Sequence, residues 1–347
     1  MQQRTVKLRL RDKHAAELSR QARAVNRVWN YCNEAQRHAF ETRWAWKDKW
    51  LTYPGLARLT AGAGVELHLH SHTVQRVCKA YVKSRQQQKK RWLRFRDRDS
   101  LGWVPFNTGH VSFDGETFCF HGVRYETMHL RDVVSPGVKI GAGSFNQDAR
   151  GRWYINLPIG LECASQTPNK RIGIDLGLKA LATLSDGSEI RIPQFYRQSE
   201  AKLATAQRGR KTPKRIRNIH AKIANRRKDY LHKESTKIAK TYGLIVVGDV
   251  SPSKLAKTQM AKSVLDAGWA GFKQMLSYKA MTHGGLCLEV CKAHTTQACS
   301  ECGCIAGPRG RAGLNERMWQ CVGCDTVHHR DTNAAKNILR AGLKHAC

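Results

Sequence analysis

Hydrophobic and polar residues alternate with a period of two in the first half of the chain, and a helical period interrupts this alternation. Residues 5–10 alternate as a half-buried strand, and residues 103–157 carry several further short runs of the same kind. Between them, apolar residues recur at helical spacing over about 12–47 and again over about 70–82. The pattern predicts a small antiparallel β-barrel that the first strand completes and that helices interrupt.

A second pattern begins after the polar linker at 162–169. It alternates hydrophobic strands with helical stretches, an order typical of a mixed α/β domain. The predicted elements are a hairpin over 171–184, a very basic helical segment over about 200–242, a buried strand over 244–250, a helix over about 263–283 and a strand over 286–290. A cysteine-rich segment and one more helix follow.

The charge of the chain narrows the choice of partner. Its 347 residues leave room for two or three domains, and its 60 Lys and Arg against 27 Asp and Glu give a net charge of +33. A small soluble domain usually carries a net charge of magnitude about 2–8. The excess therefore indicates a polyanionic partner, with nucleic acid favoured over a membrane surface.

No apolar stretch approaches the roughly 20 residues that span a bilayer. The first residues, Met1 to Lys7, contain no apolar signal-peptide core. We therefore expect a cytoplasmic protein that has no membrane partner and no small-molecule substrate.

Basic residues are concentrated in two segments. The first is the long helical segment, whose charges have nearly all the same sign and are expected to contact phosphates. The second, 85–98, also contains Trp92 and Phe95, which suit stacking on unpaired bases but are as easily explained as core aromatics. The candidate nucleic-acid-binding residues are Arg208, Arg210, Lys211, Arg226, Arg227, Lys228, Lys254, Arg91 and Arg94.

Four cysteines near the carboxyl terminus have the spacing of a zinc ribbon. They are Cys299, Cys302, Cys321 and Cys324, in the pattern C-x2-C, eighteen residues, C-x2-C. Four thiolates close a tetrahedron around Zn2+ and leave no open position, so the predicted zinc is structural. Cys304 is a nearby fifth thiol, and His328 and His329 are possible substitute ligands. The remaining cysteines are scattered and fit buried thiols in a reducing cytosol.

Two aspartates are candidates for a metal site. Asp175 lies in an apolar strand between Gly173 and Gly177, where a carboxylate needs a cap, a partner or a metal. Asp331 follows the last ribbon cysteine by seven residues and begins a helix. As structural residues, Asp175 would bond a turn and Asp331 would be an N-cap. As a pair, they are the minimum for two Mg2+ ions that activate water and stabilise the leaving oxygen in phosphodiester hydrolysis.

These motifs together resemble those of the TnpB proteins, transposon-encoded relatives of the type V CRISPR effector nucleases. Residues 171–177 are similar to the first RuvC motif, and the four cysteines with residues 330–338 are similar to the zinc ribbon and third RuvC motif. Residues 225–233 and 295–303 are similar to further family signatures. The resemblance implies an RNA-guided DNA endonuclease: a guide RNA from the transposon end pairs with double-stranded target DNA, and the protein reads a short motif beside the target.

The resemblance also implies an architecture. It predicts an α/β RuvC/RNase H-like nuclease domain with an inserted zinc ribbon, and an N-terminal wedge-like β-barrel that carries a helical recognition insertion. The expected boundaries are 1–10 and 101–168 for the barrel, 11–100 for the recognition domain, 169–290 and 326–347 for the nuclease domain, and 291–325 for the ribbon. The similarity is specific over about 170–340 and is limited to the layout of elements in the N-terminal half.

The chain departs from the family at the second RuvC motif, where Gly248 stands at the position of the usual glutamate. Three interpretations remain: Glu289 supplies the carboxylate from the next strand, Asp249 reaches the site through a bulge, or the site is inactive and the protein is a guided repressor. We expect the first, with Asp175, Glu289 and Asp331 holding two Mg2+ ions. An alternative from a different class is a zinc-ribbon RNA-binding protein without catalysis.

Overall fold

The structure is a computed structural model, which describes residues 3–42, 50–129, 134, 137–160, 168–209, 213–251, 261–309, 313 and 315–346. The chain divides into two compact units, Met1–Leu161 and Glu162–Cys347. None of the helices in the described part of the chain is both long and apolar enough to cross a bilayer.

The first unit combines four α-helices with seven strands in its described residues. The helices are α1 (Ala15–Thr42), α2 (Tyr53–Leu59), α3 (Ala63–Glu66) and α4 (Ser71–Gln88). The strands are β1 (Gln3–Arg9), β2 (Trp103–Pro105), β3 (Val111–Phe113), β4 (Thr117–Phe120), β5 (Val123–Glu126), β6 (Ser144–Gln147) and β7 (Trp153–Gly160).

The strands of this unit form two antiparallel sheets around one core. One sheet has the order β1-β7-β6-β2 and the other β3-β4-β5. Alternate residues of β7 are buried, and Ile155 and Leu157 pack in one core with Phe118 and Tyr125 of the second sheet. The first strand therefore pairs with the strands that follow the helices, as the alternation predicted.

A separate core joins α1 to α4. Val25 and Trp29 of α1 pack with Val77 and Tyr81 of α4. The amide of Asn33 fixes the basic segment that follows α4, because its oxygen accepts a hydrogen bond from the Leu93 N–H at 2.8 Å and its nitrogen donates to the Leu93 carbonyl at 2.7 Å.

The second unit contains the remaining elements. Its strands are β8 (Lys170–Leu176), β9 (Ala180–Leu184), β10 (Glu189–Arg191), β11 (Tyr242–Gly248), β12 (Leu286–Val290), β13 (Met318–Gln320) and β14 (Val327–His329). Its helices are α5 (Phe195–Arg208), α6 (Pro213–Thr241), α7 (Ala261–Ala267), α8 (Trp269–Thr282) and α9 (Arg330–Ala346).

Five of these strands form one mixed sheet in the order β10-β9-β8-β11-β12. The pairs β10–β9 and β9–β8 are antiparallel, whereas β8–β11 and β11–β12 are parallel. Ile174 and Val247 pack on one face with α6 and α8 residues, and Val246 packs on the other face with Ile338 of α9. A Cβ atom at Gly173 would lie only 2.1 Å from the Ala335 carbonyl oxygen, so this glycine permits α9 to approach β8 closely.

Two predicted helices are each divided in the structure. The basic segment forms α5 and α6, and the predicted helix over 263–283 forms α7 and α8. The second division falls at Gly268, which has a left-handed φ of 70° that continuous helix does not allow.

Candidate functional site

Asp175 and Asp331 come together where β8 ends and α9 begins. Asp175 is 8% exposed, and Asp331 lies in the first turn of α9. Burial raises the pKa of the Asp175 carboxyl, the nearby Asp331 charge raises it further, and the cation of Lys292 opposes both effects. The two aspartates that the sequence singled out therefore lie near enough to act on each other electrostatically.

Each of these carboxylates already has a cationic partner. Lys292 Nζ donates to Asp175 Oδ1 at 3.1 Å, and an Arg317 guanidinium nitrogen donates to Asp331 Oδ2 at 2.7 Å. Neither basic residue was identified from the sequence, because nothing there distinguishes Lys292 or Arg317 from the many other basic residues. Only the fold brings them to the aspartates.

Lys292 also occupies the space beside Gly248. Ile174 pairs with Val247 in parallel register, so the next residue of β11, Gly248, lies beside Asp175. A Cβ atom at Gly248 would lie 3.3 Å from Lys292 Cβ and 2.8 Å from Ile338 Cδ1. The position where the family resemblance implies a carboxylate thus has no side chain, and a lysine stem runs past it.

Glu289 lies on the opposite face of the sheet from Asp175. Val247 pairs with both Ile174 and Glu289, so these three side chains share one face, and strand alternation sends Asp175 to the other. Glu289 forms an ion pair with Lys273 of α8 on its own face. The structure therefore does not bring Glu289 to Asp175 and Asp331, and the predicted set of three carboxylates is corrected on this point.

Asp249 lies directly after β11 and holds the backbone of Lys292. Its own N–H donates to the Val290 carbonyl at 2.8 Å, and its Oδ1 accepts the Lys292 N–H at 3.0 Å. The register irregularity of β11 against β8 falls between Tyr242 and Leu244, at the other end of the strand, so no bulge turns Asp249 inward. The carboxylate of Asp249 therefore contacts the backbone of Lys292.

The four ribbon cysteines converge. Their sulfur atoms all lie within 4.8 Å of one another, and the pairs Cys299–Cys324 and Cys302–Cys321 are each separated by 3.6 Å. A tetrahedral Zn2+ with bonds of about 2.3 Å requires sulfur atoms about 3.8 Å apart. The hydrogen bond with the Thr326 hydroxyl lowers the pKa of the Cys324 thiol to about 6, which favours the thiolate that a metal needs.

Of the other candidate ligands of the ribbon, His328 lies beside this cluster. His328 is buried, and its Nε2 is 3.0 Å from Cys299 Sγ. Cys304 accepts the Cys299 N–H through its carbonyl at 2.8 Å, and the imidazole of His329 lies 3.3 Å from the Thr332 hydroxyl. The group of four sulfurs is therefore complete without them.

Two asparagines of α9 hold this helix against the ribbon. Asn333 accepts the Ser300 N–H at 2.8 Å and donates to the Ala298 carbonyl at 2.7 Å. Asn337 also donates to the Ala298 carbonyl at 2.7 Å and to the Thr295 carbonyl at 2.9 Å. These bonds fix the start of α9, and with it Asp331.

The basic candidates differ in their availability to nucleic acid. Arg208, Arg226 and Lys228 are exposed, although the Arg226 guanidinium also lies 4.5 Å above the Phe195 ring. Arg227 is paired at 3.2 Å with Asp266, whose side chain is only 4% exposed, so Arg227 has a structural partner. Arg210, Lys211 and Lys254 lie outside the described residues.

The candidates of the first unit lie on the segment after α4. The Arg91 guanidinium lies 4.8 Å above the Phe40 ring, and Arg94 is 91% exposed in a loose ion pair with Asp97. Trp92 and Phe95 are each 41% exposed, so their rings are open to a stacking partner.

A pair of acids at the carboxyl end of the central strand of a mixed sheet, a four-cysteine cluster and exposed basic helices are together typical of a protein that acts on nucleic acid. Comparisons with known proteins agree. A family model described as "Probable transposase" matches residues 158–259, and one described as "Cas12f1-like, TNB domain" matches residues 269–338.

Individual relatives extend the similarity along the chain. A putative RNA-guided DNA endonuclease of Streptomyces pristinaespiralis is 28% identical, over 96% of this chain and 87% of the relative. The putative RNA-guided DNA endonuclease InsQ of Escherichia coli K12 is 32% identical, over 55% of this chain and 54% of the relative. The TnpB-like protein L79 of Acanthamoeba polyphaga mimivirus is 27% identical, over 40% of this chain and 27% of the relative. Over these regions the chain is similar to TnpB-like proteins and to RNA-guided DNA endonucleases of that type.

Proposed function

We propose that this protein is an RNA-guided DNA endonuclease that hydrolyses target DNA with Mg2+. The observation that carries the proposal is the proximity of Asp175, at the carboxyl end of the central strand β8, to Asp331, at the start of α9. The names of the relatives support the same activity, since two of them are putative RNA-guided DNA endonucleases. A pair of carboxylates in a chain of net charge +33 is suited to bringing metal ions to a polyanion.

The architecture that we propose follows the same assignment. The sheet order, with three antiparallel strands followed by two parallel ones, supports a RuvC/RNase H-like domain over 169–290 and 326–347. The cysteine cluster supports a structural Zn2+ ribbon at 291–325. The two antiparallel sheets around one core support a wedge-like barrel over 1–10 and 101–168, with a helical recognition domain at 11–100.

Asp175 and Asp331 offer the hard oxygen ligands that Mg2+ prefers, but each carboxylate is already paired with a basic side chain. Mg2+ keeps several waters, so Asp175 and Asp331 together suffice to hold it. Mg2+ held by these two carboxylates would supply an activated water and positive charge near the leaving oxygen. Lys292 has to release Asp175 Oδ1 first, since its ammonium now occupies that position. Its flexible stem then allows the ammonium to contact a DNA phosphate instead.

The exposed basic residues of α5, α6 and the segment after α4 would hold the guide RNA and the target DNA. Their contacts would be made to the phosphate backbone, which carries no sequence information. Target choice would come from base pairing with the guide RNA. Arg208, Arg226, Lys228, Arg91 and Arg94 are the described candidates for this role.

The test is cleavage of target plasmid by the protein purified with its own RNA. We expect Mg2+-dependent strand breaks that Asp175→Ala and Asp331→Ala abolish. Glu289→Ala, on the other face of the sheet, is the matched control and should still cleave. Asp249→Ala should alter the rate only through Lys292. Loss of cleavage in Glu289→Ala with normal folding would contradict the geometry, and breaks that persist in Asp175→Ala would exclude this site.

A second candidate function is guided DNA binding without cleavage, as in a repressor. The specific observation in its favour is the ion pair between Lys292 and Asp175. The lysine ammonium neutralises this carboxylate without a metal, and the neighbouring Gly248 has no side chain that could bind one. Target-specific binding with no strand breaks, and binding affinity unchanged in Asp175→Ala, would establish this function instead of the nuclease.

A further inference from the structure

Four histidines gather in the first unit, and neither the proposed nuclease site nor the cysteine cluster uses any of them. His70 precedes α4 and His72 lies in its first turn, while His110 precedes β3 and His121 lies in the turn between β4 and β5. The sequence places them in three separate segments. The fold brings the amino-terminal end of α4 to the three-stranded sheet and so assembles them.

Three of these imidazoles have the separation of a metal site. The ring centroids lie 4.2 Å apart for His72 and His110, 4.7 Å for His70 and His110, and 5.2 Å for His70 and His72. One ring nitrogen from each of the three lies within 4.8 Å of the others. Tetrahedral ligands at about 2.0–2.1 Å from a metal stand about 3.3 Å apart, a distance that small side-chain rotations reach.

His121 lies beside the three others. Its ring centroid is 5.4 Å from that of His70. It occupies the first turn position between Phe120 and Val123, with a left-handed φ of 51°, followed by Gly122 at 75°. Such two-residue turns prefer Asn or Gly at the first position. The turn thus presents an imidazole to the cluster at a position that a smaller residue would fill more easily.

These histidines offer neutral imidazole nitrogens as metal ligands. The three converging side chains are all partly buried. Imidazole suits Zn2+ and its neighbours in the first transition series, whereas Mg2+ prefers oxygen.

We propose that His70, His72 and His110 bind one divalent cation of the Zn2+ class. The fourth coordination position of this cation would lie next to His121. The ion would join the start of α4 to the β3–β4–β5 sheet and stabilise the first unit. This site is independent of the proposed nuclease function, and it shares no ligand with the cysteine cluster.

The test measures zinc in the full-length chain. After equilibration with buffered Zn2+, we expect about two zinc ions per chain, one in the ribbon and one at the histidines. The double variant His72→Gln with His110→Gln should retain about one. His70 is left unchanged because its side chain accepts the His72 N–H at the start of α4. The matched control is His38→Gln, an exposed histidine of α1 outside the cluster, which should retain both.

Two further measurements distinguish loss of the histidine metal site from a folding defect in the double variant. Without added zinc, the double variant and the native chain should melt at the same temperature, and added Zn2+ should raise the melting temperature of the native chain by more than that of the double variant, which keeps only the ribbon site. Co2+ at the histidines should absorb without the thiolate charge-transfer band that the ribbon gives. A native chain that never exceeds one zinc, or a double variant that keeps the second ion, would overturn the proposal.

Discussion

At the scale of single residues, the candidate nuclease site depends on a lysine as much as on its aspartates. Lys292 is held twice, by Asp249 at its backbone N–H and by Asp175 at its ammonium. The ammonium of Lys292 offsets the cost of burying the Asp175 carboxylate, which is only 8% exposed. Burying such a charge without a partner costs several kcal/mol. Lys292 therefore stabilises the site without a metal, and it would compete with a metal ion for the same oxygen.

Replacing Lys292 should strengthen divalent-metal binding at this site. In Lys292→Ala the ammonium no longer competes for Asp175 Oδ1, so we expect Mn2+, used as a paramagnetic substitute for Mg2+, to bind about tenfold more tightly. Electron paramagnetic resonance of free Mn2+ measures this directly, whether or not the protein cleaves DNA.

The matched control for this measurement is Lys273→Ala. Lys273 is also paired with a carboxylate, Glu289, but on the opposite face of the sheet. Its removal should leave the affinity of the aspartate site unchanged. Equal Mn2+ affinity in Lys292→Ala and the native chain would show that the ammonium does not compete with the metal.

At the scale of elements, the hydrophobic pattern predicted the long buried strands of the second unit better than the ends of the helices. The apolar runs of β8, β11 and β12 and the spacing of the ribbon cysteines are local signals, and each appears where it was expected. The strand β10 was missed because Glu189–Arg191 is short, mostly exposed and polar. The face of Glu289 was missed because register between strands is set by packing, which a single strand does not encode.

Helix packing in the second unit contains a buried lysine that should be visible in the pH dependence of stability. Lys279 of α8 is 9% exposed, and its ammonium donates to the His232 carbonyl at 2.6 Å, Ser235 Oγ at 2.8 Å and Thr236 Oγ1 at 2.7 Å. Burial lowers its pKa to about 8. The unfolded chain, with a lysine pKa of about 10.4, therefore binds more protons here between about pH 8 and pH 10.

The contribution of Lys279 to the free energy of unfolding should rise with pH across that window, because the cost of burying the charge is complete below pH 8 and is relieved above it. We expect the difference in unfolding free energy between the native chain and Lys279→Met to grow in favour of the native chain from pH 8 to pH 10. Denaturant titrations at fixed pH measure it. Lys240→Met, at an exposed position of α6, is the control and should give a constant difference.

At the scale of the whole molecule, the net charge of +33 is the property that the sequence established most directly. It indicated a polyanionic partner without any structural knowledge. It did not indicate which basic side chains are available to contact that partner. Arg227 belongs to the basic run of α6, yet the structure pairs it with Asp266, so the sum of charges overstates what α6 offers to phosphates.

This distinction predicts different outcomes for neighbouring arginines and lysines of one helix. Arg217 and Lys222 are exposed on α6 and have no ion-pair partner in the part of the chain that the structure describes. Each phosphate contact contributes about 0.7–0.9 to the slope of log affinity against log salt concentration. Arg217→Ala with Lys222→Ala should therefore reduce the slope for guide-RNA binding by about 1.5 and leave the melting temperature unchanged.

Arg227→Ala should show the reverse behaviour. Its removal leaves the carboxylate of Asp266 with the Tyr196 N–H at 3.0 Å but without a cation, so we expect a loss of about 1–3 kcal/mol in stability and little change in the salt slope. Filter binding of the guide RNA at several salt concentrations and thermal melting of each variant separate the two effects. If all three substitutions reduced the slope equally, the charge of α6 would act as a uniform field, and the ion pair with Asp266 would have no influence on RNA binding.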